Sequence, residues 1–122
     1  MSLLASDSDV TVVVTACGRP DLLGRTLRSL FAALDQPVAA VIVVEDSGTP
    51  GVNATLQAQY PFIRYINNMR NFGQQASIDA AYAQVRTPYV LHCEGEARVC
   101  ACACAHTRVR HSLHSHAPLR CR

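Results

Sequence analysis

Residues 10–15 read Val-Thr-Val-Val-Val-Thr, six β-branched side chains in succession. Branching at Cβ suits a pleated strand better than a helix. The near-continuous apolar run means that this strand is buried on both faces. A strand of that kind needs a layer above it and a layer below it, and the rest of the chain must supply them.

The following segments do so in alternation. Ala16-Cys-Gly-Arg-Pro20 breaks the strand. Pro20-Asp21 opens a helix, with the acid near its positive end. Leu22, Leu23, Leu27, Leu30, Phe31 and Leu34 then share one helical face, while Arg25 and Arg28 point elsewhere. Gln36-Pro37 stops the helix. A second apolar run, Val38 to Val44, ends in Glu45-Asp46-Ser47-Gly48, and Thr49-Pro50-Gly51 is turn chemistry. Val52–Tyr60 reads as a short helix and Phe62–Ile66 as a third strand. Asn67–Gly73 is a polar loop. Gln74–Arg86 is a helix with Ile78, Ala81, Tyr82 and Val85 turned inward. Thr87-Pro88 punctuates, and Tyr89–Cys93 is a fourth strand.

The order β-α-β-α-β-α-β predicts an α/β fold, a Rossmann-like open parallel sheet covered on both faces, with strand order 3-2-1-4. Ligands of such sheets bind beyond the carboxyl ends of the strands. Arg19, Glu45-Asp46, the Asn67–Asn71 loop and His92 to Glu96 all follow strands, so they are expected on one rim.

Composition limits the alternatives. A chain of 122 residues makes one domain at most, and half of it is apolar with 16% charged, which is globular composition. A net charge of +2 gives no argument for nucleic acid. No apolar run approaches the roughly 20 residues of a membrane span. Met1–Asp9 lacks a basic start and a long apolar stretch, so no signal peptide is expected and the cytoplasm is the default location.

The charge is unevenly spread. Residues 1–96 carry six Arg and all nine acids, while residues 97–122 carry five Arg and no acid. Four of the six Cys and four of the five His also fall after residue 96. The chain therefore divides into 1–96, the folded α/β part, and 97–122, a low-complexity tail without apolar periodicity. That tail is expected to be unstructured and to add no further strand. Within it Cys100, Cys102, Cys104 and His106 offer soft ligands, which allows an alternative reading as a metal-binding protein with a zinc-holding tail. The C-x-C-x-C spacing, however, is not that of a zinc finger. Cys17 and Cys93 end apolar runs and read as small buried hydrophobes.

Three short motifs carry chemistry. Glu45-Asp46 follows a strand directly, where a carboxylate can accept from a base N–H or ribose hydroxyls, or can cap the next helix. Glu94-Gly95-Glu96 places two carboxylates about a glycine, a set of hard oxygen ligands for Mg²⁺ or Mn²⁺ bridging phosphates, or else an acidic turn. Asn71-Phe72-Gly73 leads into a helix N-terminus, which can receive phosphate through its N–H groups and dipole, or is a simple turn and cap. No G-x-G-x-x-G and no Walker loop is present.

With these residues in hand, the chain resembles the N-terminal half of a family 2-type glycosyltransferase of the GT-A fold. The similarity lies in Val10–Leu30, VTVVVTACGRPDLLGRTLRSL; in Val41–Gly48, VIVVEDSG; and in Arg70–Glu94, RNFGQQASIDAAYAQVRTPYVLHCE. The resemblance implies a nucleotide-diphospho-sugar donor, transfer to an acceptor, and a divalent cation, Mn or Mg. It puts Ala16, Arg19, Glu45 and Asp46 at the nucleoside, Asn71 and Gly73 near the diphosphate, Asp79 facing the donor, and Glu94 and Glu96 on the metal. It also implies an acceptor-binding half with a catalytic base, for which this sequence shows no counterpart. The expectation is a truncated, metal-dependent domain that is inactive on its own. Gly95-Glu96 can be encoded GGT GAG, which contains a splice-donor pattern, so the tail reads as retained intron or a shifted frame.

Overall fold

The computed structural model describes residues 2–95 and the strand Thr107–Arg108. Among the described residues there are five strands: β1 (Val10–Ala16), β2 (Ala40–Glu45), β3 (Arg64–Asn67), β4 (Tyr89–Glu94) and β5 (Thr107–Arg108). Three helices connect them: α1 (Pro20–Ala33), α2 (Ala54–Gln59) and α3 (Gln74–Tyr82). The sheet order is β3-β2-β1-β4-β5, and the first four strands are mutually parallel. The expected 3-2-1-4 order is therefore met.

One expectation fails. The stretch after residue 96 adds a strand, β5, which pairs antiparallel with β4 through Tyr89↔Arg108 and Val90↔Thr107. The physical reason is that β4 would otherwise be an edge, and unpaired ladder groups accept any short extended segment whatever its composition. The remainder of the tail, including Cys100, Cys102, Cys104 and His106, lies outside the described residues.

The β-branched run behaves as its composition requires. Val12, Val13 and Val14 are fully buried, with Val12 opposite Val41 and Leu91, and Val13 opposite Ile42 and His92. Alternate side chains serve opposite faces. Val12, Val14, Val41, Val43 and Leu91 pack with Leu23, Leu27 and Leu30 of α1. Val13, Ile42, Val44 and Val90 pack with Ala81, Tyr82 and Val85 at the end of α3 and just beyond it. The helices are shorter than the sequence reading: α1 stops at Ala33 before Gln36-Pro37, and α3 stops at Tyr82, short of Arg86.

The sheet thus has one thick and one thin cover, and its carboxyl edge is where the connections matter. Asp46 N–H donates to Ala16 O, and Gly95 N–H donates to Thr15 O at 2.6 Å. These two bonds draw the exits of β2 and β4 against the end of β1.

Candidate functional site

The exits of β1, β2 and β4 meet the N-terminus of α3 around an open pocket of about 340 Å³. Its wall includes Ala16, Cys17, Asp46, Asn71, Gln74 and Glu94. Of the polar residues expected on one rim, Asp46, Asn71 and Glu94 are brought together where a parallel sheet binds ligands.

Asp46 organises the wall. Its Oδ1 accepts from Asn68 Nδ2 at 2.7 Å and from the Phe72 N–H at 2.8 Å, and its Oδ2 accepts from the Gly73 N–H at 2.9 Å. Asn68 also donates to Ser77 Oγ, which donates to Gly73 O. Burial alone would raise the Asp46 carboxyl. The hydrogen bonds from Asn68, Phe72, Gly73 and Ser77 outweigh it and hold the group below its ordinary value. A carboxylate has about four acceptor sites, so these donors occupy most of what Asp46 offers.

This arrangement changes what the Asn71 loop can do. The Phe72 and Gly73 N–H groups already serve an internal anion. The first turn of α3 itself still offers leading N–H groups, which lack intrahelical partners. Gly73 takes φ 92°, a backbone state open to glycine, and this directs its N–H inward while the helix starts beyond it.

Glu45 is placed in the core rather than on the pocket wall. It is 2% exposed. Its Oε2 accepts from the Gly18 N–H at 2.8 Å and the Ser47 N–H at 3.1 Å, and its Oε1 accepts from Asn53 Nδ2 at 2.8 Å. It ties the turn after β1 to the turn after β2. Neither Glu45 nor its neighbours cap α2 through a side chain; Asn53 holds that position. Glu45, the last residue of β2, and Asp46, the first beyond it, thus point into different networks.

Glu94 is exposed at the end of β4, where Gln74 Nε2 donates to its Oε1 at 3.3 Å. Asp79 is half-buried on α3, accepts from Gln75 Nε2 at 3.0 Å, and is not on the wall. Arg19 is exposed before α1, also away from the wall. Glu96 lies outside the described residues. Cys17 corrects an expectation: its thiol is exposed, because the strand's burial ends one residue earlier, at Ala16, and Gly18 at φ 69° turns the chain outward. Asn71 Nδ2 lies 3.7 Å from the Cys17 sulfur, across the pocket mouth. Cys93 is buried as expected.

The sequence reading missed Gln74, Ser77, Asn68 and Asn53. Each was seen only as a loop or helix residue. The only signal was position: Asn68 and Gln74 flank the Asn71 loop, and Asn53 stands where α2 must start. Among the described residues no group of three His, Cys, Asp or Glu side chains forms a metal cage. Glu94 offers one carboxylate. That suits a cation that takes most of its ligands from phosphate and water, as Mg²⁺ commonly does, and does not suit a closed protein site.

Comparison with known proteins agrees with this fold. The model of "Glycosyl transferase family 2" matches residues 11–94. No curated protein sequence matches the chain. Among solved structures, S. aureus TarS in complex with UDP superposes with a TM-score of 0.65 at 20% identity, over 76% of this chain and 29% of that one. A TarS complex with UDP-GlcNAc gives a TM-score of 0.65 and 20% identity, over 76% and 28%. The mannosyltransferase PcManGT from Pyrobaculum calidifontis, in complex with GDP-Man and Mn2+, gives 0.62 at 18% identity, over 76% and 30%. The chain spans less than a third of the length of these structures, and at such identities the likeness is one of fold.

Proposed function

This chain belongs to glycosyl transferase family 2, and on that premise we propose that the pocket at the carboxyl ends of β1, β2 and β4 takes the nucleotide-diphospho-sugar donor. The observation that carries the reading is the meeting of Asp46, the Asn71 loop, the α3 N-terminus and Glu94 around one open pocket. In this reading Asp46, on the pocket wall, faces the base or ribose of the nucleoside. Ala16 forms an uncharged wall beside it. Asn71 and Gln74 stand at the diphosphate, with the positive end of α3 behind them. Arg19 and Asp79, off the wall, would act only on parts of the donor that extend beyond it.

Glu94 would hold a divalent cation, Mn or Mg, together with Glu96. When bound, such a cation neutralises charge on the leaving diphosphate. The contribution of this chain is to present the Glu94 carboxylate beside the α3 N-terminus, with Gln74 steadying it. We further propose that residues 2–95 bind the donor without transferring the sugar, since transfer also calls for an acceptor surface and a base.

The test is a titration followed by amide shifts, with UDP and GDP, with and without Mg²⁺. Affinity should be near 1 mM, about −4 kcal/mol, because an open pocket leaves the charge contacts in water. Asp46→Ala should weaken binding in both conditions. Glu94→Ala should remove only the part that depends on Mg²⁺. Absence of shifts at the Asp46 and Asn71 loops would overturn the donor site.

A further inference from the structure

Gly95 follows Glu94 and is held from two sides. Its N–H donates to Thr15 O at 2.6 Å, and its carbonyl accepts from Thr26 Oγ1 at 3.0 Å. The approach is so close that a Cβ on Gly95 would stand 2.7 Å from Thr15 O and 3.2 Å from Ala16 Cβ. Thr26 lies in the middle of α1, is 1% exposed, and is absent from the pocket wall. It faces a layer otherwise made of Leu23, Leu27 and Leu30. A hydroxyl in that layer costs free energy unless it is bonded, and here it reaches out of α1 to a peptide at the end of β4.

We propose that Thr26 is a positioning residue for the cation-binding carboxylate of this pocket. It acts by clamping the Gly95 carbonyl, so that Gly95 is held at both ends, by Thr15 at its N–H and by Thr26 at its carbonyl, and Glu94 leaves β4 on the pocket side. This rests on the donor-site reading above and adds to it the residue that fixes the carboxylate. The reasoning is geometric. Glu94 is the last residue of β4, and its own side chain is exposed, with only Gln74 among the described residues hydrogen-bonded at its tip. Its direction is therefore set by the backbone: Thr15 O holds the Glu94–Gly95 peptide through its N–H, and Thr26 holds the next peptide through the Gly95 carbonyl. Removing the Thr26 bond loosens Gly95 about its own Cα, leaves the Glu94–Gly95 peptide on the single bond to Thr15 O, and lets the carboxylate spread over several positions. A ligand held by an outer hydrogen bond loses metal affinity when that bond goes, by about tenfold at the low end.

The experiment measures UDP and GDP affinity of the full chain, with and without Mg²⁺, for the wild type, Thr26→Val and Thr26→Ser, with a thermal melt of each. Valine keeps the shape and loses the hydroxyl; serine keeps the hydroxyl. The expected result is that Thr26→Val loses about tenfold of the Mg²⁺-dependent enhancement and leaves Mg²⁺-free affinity within about twofold, while Thr26→Ser retains both. Should Thr26→Val fail to fold, Gly95→Ala displaces the same peptide from the Thr15 side and should lose the same enhancement. A Thr26→Val protein with the full Mg²⁺ enhancement overturns the clamp and leaves the donor site standing. So does an equal loss in both conditions that tracks the melting temperature. A wild-type chain that binds neither nucleotide overturns the donor site and the clamp together.

Discussion

Two neighbouring carboxylates show how much one side-chain direction decides. Glu45 receives three donors and is sealed in the core; Asp46 receives three donors and still borders the pocket. The sequence shows an acidic pair after a strand, and nothing in it says which member faces inward, because that depends on where β2 ends. Their substitutions should differ accordingly. Glu45→Ala leaves the Gly18 and Ser47 N–H groups and Asn53 Nδ2 without an acceptor, and should cost about 3 kcal/mol. Glu45→Gln should cost less. Asn53 Oδ1 is buried and has no partner among the described residues. Rotation of the Asn53 amide would offer that oxygen to the new NH₂ group. Denaturant melts of both variants check the order, and a Gln variant as unstable as the Ala variant would show that Asn53 cannot turn.

Asp46 adds a pH dependence with a definite sign. Its folded value lies below its ordinary one, so the unfolded chain binds the proton more readily. The stability it contributes is present above the ordinary carboxylate range, and is lost as pH falls through the folded value. The amide signals of Phe72 and Gly73 should therefore stay unshifted to pH values at which free carboxylates have titrated, then move together. Movement of these amides near pH 5 would mean that their bonds to Asp46 do not hold it ionised.

At the scale of elements, α3 depends on the residue before it. The sequence shows Asn-Phe-Gly ahead of a helical pattern, and the helix start is legible from that. The Gly73 dihedral and the inward N–H are not, since they follow from Asp46 arriving from another strand. A Cβ on Gly73 would meet nothing within 4 Å. Any cost of Gly73→Ala is therefore backbone strain at φ 92°, about 1–3 kcal/mol. Gly48→Ala adds a collision, because its Cβ would stand 2.7 Å from Arg70 Cα. It should destabilise more than Gly73→Ala in the same melt, and equal losses would show that the Arg70 backbone yields freely. The strands were legible because β-branched runs admit little else. Helix ends were read too long, since Leu34 and Val85 remain partly or fully buried after the helical turns stop, and apolar spacing cannot distinguish the two.

For the molecule as a whole, the unequal covering of the sheet sets where pH acts. Alternation along β4 puts Leu91 under α1 and His92 on the opposite face, beside Val90, under the thinner layer of α3. Sequence alone gives this histidine a place in a strand. Its environment depends on which helix arrives, and the helix brings Tyr82, whose hydroxyl lies 3.0 Å from His92 Nδ1 with the rings edge to face. Burial lowers the His92 value, and the nearby Glu94 carboxylate offsets part of that. The folded state then binds the proton less readily than the unfolded chain. Folding stability is complete above the ordinary histidine value near 6.5 and declines as pH falls through the folded value. Melting temperatures at pH 7.5 and 5.5 should therefore differ in the wild type, with the lower value at pH 5.5. His92→Gln, which can still meet the Tyr82 hydroxyl, should show a smaller difference between the two. The comparison between variants matters because four other histidines follow residue 96. An unchanged difference in His92→Gln would assign the pH effect to those histidines and leave β4 without a part in it.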